Sequence, residues 1–482
     1  MRDPMTRPNT PMSYPAILLW GCFGLGLVAL LLANAYETTL GVVLTAVFCF
    51  ALATLLSSLK SACGIFSGSV IGILALGVYS LAVPIHHLFY QDYNDAGIRF
   101  VTSYCVIAAL GQAMGYYALA KPSFPQSLQN SASAVVGHKE NLRFGFYVLI
   151  FGMTALFVAI SLTVGFAAYM NAGYAGRALL KREAGPIELG LYYVIIGYLF
   201  IANGWLYKPL KAYRGWLITF LGVFLVGFVI YVSILGIRRP SFFIVIAFLF
   251  LYFLKTQGKV PKRISGLSLV CVFLFGIFAS FRQVLSDQGA AVALSYVLEN
   301  FDFMWLDLSV TELGAPFRSM LSATDGWVTE GWLLGSSYFD AFLNLLPSAI
   351  IKFRESLSVQ YTHAFFSDDY IAIGGNMGFF PVAEAYLNFG AIGVWLEFFV
   401  LGLILKTIEN RAIQYPDQVQ AIVYAITVPW FFFFLRTDFS SFLKSFSYSV
   451  IPVFVLYRIY REVLYRRKAF FEPRILNKRI EG

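Results

Sequence analysis

Charged side chains are scarce in this sequence. Asp, Glu, Lys and Arg together make up 13% of its 482 residues, whereas a soluble domain carries roughly 25%. Hydrophobic residues make up 59%, and apolar runs of roughly 17–25 residues, enough to cross a hydrocarbon layer about 30 Å thick, recur along the whole chain. With so little polar surface, the composition excludes a soluble fold and predicts an all-α polytopic membrane protein.

Cysteine and histidine are also few. The five cysteines lie in or beside apolar runs, with no CxxC spacing and no histidine partner, so neither a disulfide framework nor a metal site is indicated. The sequence contains no glycine-rich nucleotide-binding loop, and Asp368 and Asp369 are adjacent rather than spaced as a DxD pair. We therefore expect no metal and no cofactor, and a nucleotide-sugar donor held by a metal is disfavoured.

The apolar windows predict about twelve membrane-spanning helices. Their expected ranges are 15–33, 39–57, 63–84, 98–119, 144–165, 187–205, 215–235, 241–254, 266–281, 381–405, 419–435 and 445–460. The eighth is short, so a tilted or partly re-entrant helix is expected there.

Basic residues fall mainly in alternate loops. If the N-terminus is cytoplasmic, the loops on its side of the membrane and the C-terminal tail hold most of the Lys and Arg residues, as the positive-inside rule requires. Both termini are then cytoplasmic. Anionic lipid headgroups suffice as partners for the net charge of +9, and no nucleic acid is expected.

This topology divides the chain into four parts. Residues 1–281 hold the first nine spans, 282–380 form one large extracytoplasmic loop with short helices, 381–460 hold the last three spans, and 461–482 form a basic cytoplasmic tail. Within the loop, the apolar stretch 337–353 is interrupted at Pro347. It predicts an interfacial helix, or a lid lying on the outer leaflet, rather than a further span.

Five arginines break the positive-inside pattern because they lie at the outer membrane boundary: Arg238, Arg239, Arg282, Arg318 and Arg436. Each of them alone could snorkel to outer headgroups. Together they suggest a site for a diphosphate, since a guanidinium binds phosphate oxygens through two parallel hydrogen bonds. A lipid-linked diphosphate presents its head at this depth, so the pattern predicts an amphiphilic substrate.

A carboxylate and an amide begin the tenth span. Glu384 and Asn388 are four residues apart and therefore share a helix face, at the expected depth of the arginines. Glu384 is either a general base near a sugar hydroxyl or an interfacial acid paired with an arginine. His363, on the large loop, is a rival base, as are the two adjacent aspartates beyond it.

Gly390 and Gly393 follow on the same helix. These small residues predict a close helix–helix contact. Glu397, deeper in the span, is expected to be protonated, paired or exposed to a wet cavity.

Four stretches resemble one family. They are NAGYAGRALL (171–180), GIRRPSFFIVIAFLFLYF (236–253), GSSYFDAFLNLLPSAIIKF (335–353) and, most specifically, GFFPVAEAYLNFGAIG (378–393). The chain resembles the Wzy-type polymerases of O-antigen repeat units, which belong to the GT-C-like glycosyltransferases together with the O-antigen ligases. The resemblance is strongest over 165–405, and it implies a GT-C-like fold in the bacterial inner membrane.

The resemblance also implies a reaction. A growing glycan on undecaprenyl diphosphate would be transferred to the sugar of an incoming lipid-linked repeat unit, with a chain-length regulator as a possible partner. Glu384 is the expected base, with His363 behind it. The expected diphosphate and substrate contacts are Arg282, Arg318, Arg238 and Arg239, more weakly Arg177 and Arg436, and also Asn388 and Tyr386. An O-antigen ligase and a flippase or transporter of lipid-linked oligosaccharides remain the alternatives.

Overall fold

Helices account for nearly all of the chain that the computed structural model describes. The described residues are 14–120, 132–163, 187–207, 214–234, 238–256, 313–324, 332–346, 355–368, 378–415 and 419–464, with positions 165, 168, 169, 292 and 295. No β-strand occurs within these ranges. The prediction of an all-α protein is confirmed.

Eight long helices precede the large loop: α1 (Tyr14–Ala35), α2 (Thr39–Lys60), α3 (Gly68–Tyr90), α4 (Asp95–Ala118), α5 (Ala132–Thr163), α6 (Ile187–Tyr207), α7 (Arg214–Ile234) and α8 (Arg238–Lys255). The described parts of the loop form α9 (Ala315–Ser322), α10 (Ser336–Leu343) and α11 (Leu357–Phe365). The chain then forms α12 (Pro381–Gln414), α13 (Val419–Phe434) and α14 (Phe439–Ser449), and helix continues after α14 to Leu464.

Nine helices of the described chain are long and apolar enough to cross a membrane. They coincide with the first seven, the tenth and the twelfth predicted spans, so a polytopic membrane protein is confirmed. The eighth predicted span is α8, which has 18 residues, and the eleventh is α13, which has 16. The ninth, at 266–281, lies outside the described residues.

Several predicted span boundaries differ from the structure, and two of the differences have a clear physical cause. The third span begins at Gly68 rather than at 63, because Gly64–Phe66 forms a 3₁₀ turn and the Ser67 hydroxyl then caps α3 by accepting from the Val70 amide (3.1 Å). The tenth continues past 405 to Gln414, because the polar side chains at its far end are buried in protein rather than placed in lipid. Lys406 and Glu409 there are both 0% exposed.

The helices pack around two hydrophobic cores. One is built from α1–α4, α9, α11 and α12, and the other from α5–α8, α13 and the C-terminal helix. Helix α12 packs closely on α4 in the first core and also on α13 of the second. It therefore lies at the seam between them, and its first turns carry the conspicuous Glu384 and Asn388.

The contact between α4 and α12 requires glycine. A Cβ built on Gly115 would lie 1.9 Å from the carbonyl oxygen of Phe399, and one on Gly402 would lie 2.3 Å from that of Gln112. The predicted glycine contact at Gly390 and Gly393 was placed wrongly. A Cβ on Gly393 would lie 2.5 Å from the carbonyl oxygen of Ala385 in the same helix, so that glycine permits a break in α12 instead of a contact with a neighbouring helix.

Candidate functional site

Helix α12 is broken between its first two turns and the long segment behind them. Phe389 (φ −143°, ψ 21°) and Gly390 (φ 61°, ψ −146°) leave the helical region. The Gly390 conformation is one that only glycine adopts without strain. Residues 381–388 thus form a short helical segment of their own, and Pro381 begins it with the fixed φ that suits the first helical position.

The segment before α10 contacts the end of this short helix. The Leu333 amide donates to the Leu387 carbonyl (2.9 Å), and the Gly335 amide donates to Asn388 Oδ1 (2.8 Å). The last carbonyls of a helix have no partner within it, so the break exposes acceptors that the loop then satisfies. Gly335 reaches this position with φ 88°, where a side chain is disfavoured.

Asn388, Ser337 and Glu384 form an ordered hydrogen-bond chain. Asn388 Nδ2 donates to the Glu384 carbonyl and to the Ser337 hydroxyl, both at 2.8 Å, and the hydroxyl donates to Glu384 Oε1 at 2.7 Å. The direction is fixed because the amide oxygen of Asn388 already accepts from a backbone N–H. Glu384 is 1% exposed, and its Oε1 is the acceptor because the Ser337 hydroxyl already accepts from Asn388 and has its proton left to donate.

The second oxygen of Glu384 binds the turn between α13 and α14. The Phe439 amide donates to Glu384 Oε2 (2.6 Å). The preceding residue, Asp438, is fully buried and accepts from the Ser441 amide (2.9 Å), which caps α14, and from the Ser358 amide (2.9 Å) at the start of α11. Three separate parts of the chain therefore converge on the first turns of α12.

Carboxylates gather here without a cationic partner in the described part of the chain. Asp438 and Glu397 both lie close enough to Glu384 for their charges to interact. Glu397 accepts a hydrogen bond from the Tyr338 hydroxyl. Burial, and then the charges of Glu397 and Glu384, raise the pKa of Tyr338, so its hydroxyl stays protonated and donates. The predicted alternative, a Glu384–arginine pair, does not occur among the described residues.

A polar groove opens beside Glu384. It is a shallow cleft, open to solvent, between α10, α11 and α14. Helix α10 turns its polar residues towards this groove, whereas Phe339 and Phe342 on its other face are 65% and 58% exposed. Such an amphipathic helix suits a membrane interface. The described helix ends at Leu343, four residues before the Leu-Pro interruption.

In the described part of the chain, no three His, Cys, Asp or Glu side chains are arranged to hold a metal ion. The arrangement offers instead a buried carboxylate whose two oxygens accept hydrogen bonds, on the wall of a water-accessible groove at one end of a long apolar helix. This is an arrangement for handling a hydroxyl proton next to the membrane.

A family model for the O-antigen polysaccharide polymerase Wzy matches residues 17–468. The chain belongs to the Wzy O-antigen polymerase family. It is therefore a glycosyltransferase-type enzyme of polysaccharide biosynthesis and a multi-pass bacterial membrane protein that acts on lipid-linked oligosaccharide. No curated protein matches the chain, and no solved structure does either.

Two of the arginines predicted for this Wzy chain, Arg318 and Arg436, belong to segments that contact the residues just before α12, and a third, Arg239, lies against α13. The Arg239 guanidinium lies 3.7 Å from the centre of the Phe433 ring, and the Phe433 carbonyl accepts from the Arg436 amide (3.2 Å). A Cβ on Gly378 would lie 2.1 Å from the Arg436 carbonyl oxygen. The Arg239 guanidinium thus lies at the C-terminal end of α13, and the backbone of Arg436, just beyond that end, contacts the segment that leads into α12.

Arg318 approaches the same end of α12 from α9. The next residue along, Ser319, accepts a hydrogen bond from the Phe380 amide (3.0 Å). Burial raises the pKa of Tyr361 on α11, while a hydrogen bond with Ser322 and the charge of Arg318 lower it, so Arg318 lies near Tyr361.

The other predicted arginines are described in part or not at all. Arg238 begins α8, but its side chain lies outside the described part of the structure, as do Arg177 and Arg282 altogether.

Two further predicted residues lie away from the groove. His363 is exposed near the C-terminal end of α11, and no described contact joins it to Glu384. The Tyr386 ring packs edge-on against Trp332 (5.5 Å between ring centres) and Tyr104 (4.8 Å). Residues two apart on a helix point to different sides, so Tyr386 faces α4 while Asn388 faces α10. Asp368 is exposed, and Asp369 lies outside the described residues.

Sequence reasoning missed three groups that complete the site of this polymerase: Ser337, Tyr338 and Asp438. Asp438 gave a local signal, because Asp directly before an apolar stretch is typical of a helix N-cap. Ser337 and Tyr338 gave none, since their partners lie 47 and 59 residues away in the sequence.

Proposed function

We propose that this chain is a polymerase that transfers a growing glycan from a polyprenyl diphosphate to the sugar of a second lipid-linked repeat unit, at the outer face of the bacterial inner membrane. The observation that carries this proposal is the buried Glu384 carboxylate on the wall of a polar groove, with the Ser337 hydroxyl and the Phe439 amide fixing its two oxygens. Each carboxylate oxygen retains a further acceptor position.

In the proposed step, an acceptor hydroxyl gives its proton to Glu384. The hydroxyl oxygen forms a bond to the anomeric carbon of the donor glycan, through an oxocarbenium-like transition state. The bond from that carbon to the diphosphate oxygen breaks, and the lipid diphosphate leaves with the electron pair. A positioned base typically contributes about 10²–10⁴-fold to such a step.

Arginines are proposed to stabilise the departing diphosphate. We propose Arg239, Arg318 and Arg436 for this role. In support, the Arg436 carbonyl contacts Gly378 and the residue after Arg318 binds Phe380, both just before α12, and Arg239 stacks on Phe433, three residues before Arg436. Charge that develops on a leaving group is stabilised most by cations already in place. The family resemblance adds Arg282, Arg238 and Arg177 as proposed contacts, with Arg282 the first of them.

The proposed orientation places both termini in the cytoplasm and the groove outside. Two observations support it. The basic residues follow the positive-inside rule, and the exposed phenylalanines of α10 suit contact with the outer leaflet next to the groove. A chain-length regulator is a partner that we propose from the family resemblance alone.

The test is reconstitution of the full chain in lipid vesicles with lipid-linked repeat units as the only substrate. We expect a ladder of longer glycans, with one free lipid diphosphate released per transfer, and we expect a metal chelator to leave the ladder unchanged. Repeat units that change membrane side without growing would contradict the proposal and support a flippase. Transfer of single units only to a lipid A core acceptor would contradict it in favour of a ligase.

A further inference from the structure

The groove beside Glu384 has a distinct chemical character. Its described lining contains the carboxylates of Asp340, Glu355 and Glu384, together with amides and hydroxyls, and no Lys or Arg. The arginines near the N-terminal end of α12 are not among its lining residues. The expected base and the expected diphosphate contacts are therefore in different places. The base belongs to the acidic groove, and the arginines lie outside it.

Neutral polar groups in the groove are positioned by contacts within its walls. Asn344 Nδ2 donates to the Ser440 hydroxyl (3.1 Å), which joins α10 to α14. Gln360 Nε2 donates to the Glu355 carbonyl (2.5 Å), which holds the start of α11. Amides and hydroxyls carry both donors and acceptors, and the hydroxyls of a sugar require both.

The two carboxylates at the mouth of the groove, Asp340 and Glu355, act against a second negative charge. Glu355 is exposed and Asp340 is half-buried, so both meet solvent at the mouth, while Glu384 is buried at the wall. Two like charges about 4 Å apart in water repel by an amount that lowers binding about fivefold. A phosphate or a uronic acid would meet this repulsion, whereas an amino group would be attracted.

We propose that this groove is the subsite for the acceptor sugar and that it selects an uncharged or amino-bearing ring, with Asp340 and Glu355 excluding uronic acids and phosphorylated sugars. The inference rests on the proposed function, because it assigns the groove to the acceptor half of that reaction. One edge of the ring would lie along α10 and α11 and bring a hydroxyl to Glu384. The diphosphates would remain outside the groove, on the side of the arginines.

The experiment measures binding of simple glycosides to the full chain in lipid nanodiscs by saturation-transfer NMR, which detects millimolar affinities. The three probes are the methyl glycosides of an N-acetylhexosamine, a hexosamine and a hexuronic acid. For the wild-type chain we expect binding of the first two, with the hexuronic acid at least about fivefold weaker.

The decisive variant is the double substitution Asp340→Asn and Glu355→Gln. We expect uronic acid binding to strengthen and hexosamine binding to weaken, each about fivefold per carboxylate neutralised, with the N-acetylhexosamine unchanged. Opposite shifts for two probes in one variant exclude a general loss of structure as their cause. The matched control is Asp92→Asn, a more than half-exposed carboxylate near α3 and α4, away from the groove; it is expected to change none of the three.

Wild-type binding that is equal for all three glycosides, or undetectable for all three, would overturn the inference. A double variant that keeps the wild-type preference for the hexosamine over the hexuronic acid would also overturn it. The readout needs neither a donor nor transfer, so it is independent of the ladder experiment. A chain that elongates glycans without this preference contradicts the acceptor subsite alone, and a chain that shows the preference but never elongates contradicts the proposed function alone.

Discussion

At the scale of single residues, the site depends on a hydroxyl that connects an amide to a carboxylate. Ser337 accepts from Asn388 and donates to Glu384, so it fixes where the carboxylate points. A hydrogen bond to a charged group is worth about 1.5–3 kcal/mol. The serine is therefore a positioning residue for the proposed base rather than a base itself.

Replacing Ser337 by alanine should lower the elongation rate by about tenfold or more, since roughly 1.4 kcal/mol of lost positioning corresponds to a factor of ten. The measurement is the initial rate of ladder formation in vesicles. Ser58→Ala is the control, because the Ser58 hydroxyl is exposed and bonds only to the Leu55 carbonyl in its own helix (2.7 Å). An unchanged rate in the Ser337 variant would contradict the positioning role of this serine.

Sequence alone predicted Asn388 and Glu384, the two ends of this hydrogen-bond chain, but not Ser337 between them. The spacing of Glu384 and Asn388 on one helix face is visible in the sequence, and the hydrogen bond from Asn388 to the Glu384 carbonyl confirms it. Ser337 and Asp438 reach the site through folding of the large loop and of the α13–α14 turn. A single sequence does not show which distant residues pair, so the roles of these two residues could be found only from the structure.

At the scale of elements, the break in α12 organises the site. It ends a two-turn helix whose last groups then bind the segment before α10, and it allows Gly393 to pass close to Ala385. Apolar periodicity predicted one continuous span because Phe389 and Gly390 interrupt only a single turn. A lone glycine in a helical pattern is usually tolerated, so the break was not readable from the sequence.

Gly390→Ala should disturb both folding and function. At φ 61° and ψ −146° a side chain costs about 1–3 kcal/mol of strain, so we expect a lower melting temperature and loss of elongation. The matched control is Gly24→Ala in α1, where an added Cβ meets nothing within 4 Å. If both alanine variants melted and elongated alike, the break would not be a requirement of the site.

At the scale of the whole molecule, α12 carries a polar cluster at each end. The unbroken part of α12, from 391 to 409, is about 27 Å long at the rise of an α-helix, close to the thickness of the hydrocarbon layer. At the far end, Lys406 Nζ donates to the Lys60 carbonyl (2.8 Å) and lies 3.6 Å from Glu409 Oε1, and the Tyr116 hydroxyl donates to Glu409 Oε2 (2.5 Å). This buried pair joins α2, α4 and α12.

Removing one partner of the buried pair should destabilise the chain more than removing both. Lys406→Met leaves Glu409 uncompensated, and breaking a buried pair in this way costs about 3–5 kcal/mol. We expect a clear fall in melting temperature for Lys406→Met, with partial recovery when Glu409→Met is added. A single variant as stable as the wild-type chain would show that the pair does not hold these helices together.

The sequence predicted most of the molecule's architecture because apolar length and charge asymmetry are local properties. Eleven helices in the described ranges fall on predicted spans, and nine of them are long and apolar enough to cross a membrane. The extension of α12 to Gln414 was missed, since a buried Lys406–Glu409 pair looks in the sequence like the end of a span. The positions of Arg239 and Arg318 depend on contacts of α8 with α13 and of α9 with α12, which no local pattern encodes.

The most direct measurement for the central proposal is the elongation rate of Glu384→Gln in vesicles, with the melting temperature measured on the same preparation. Glutamine keeps the size of the side chain but does not take up a proton, so we predict a fall of about 10²–10⁴-fold with the fold retained. Glu37→Gln, the same change at the turn between α1 and α2, should elongate normally. A folded Glu384→Gln variant that forms the ladder at the wild-type rate would contradict the account.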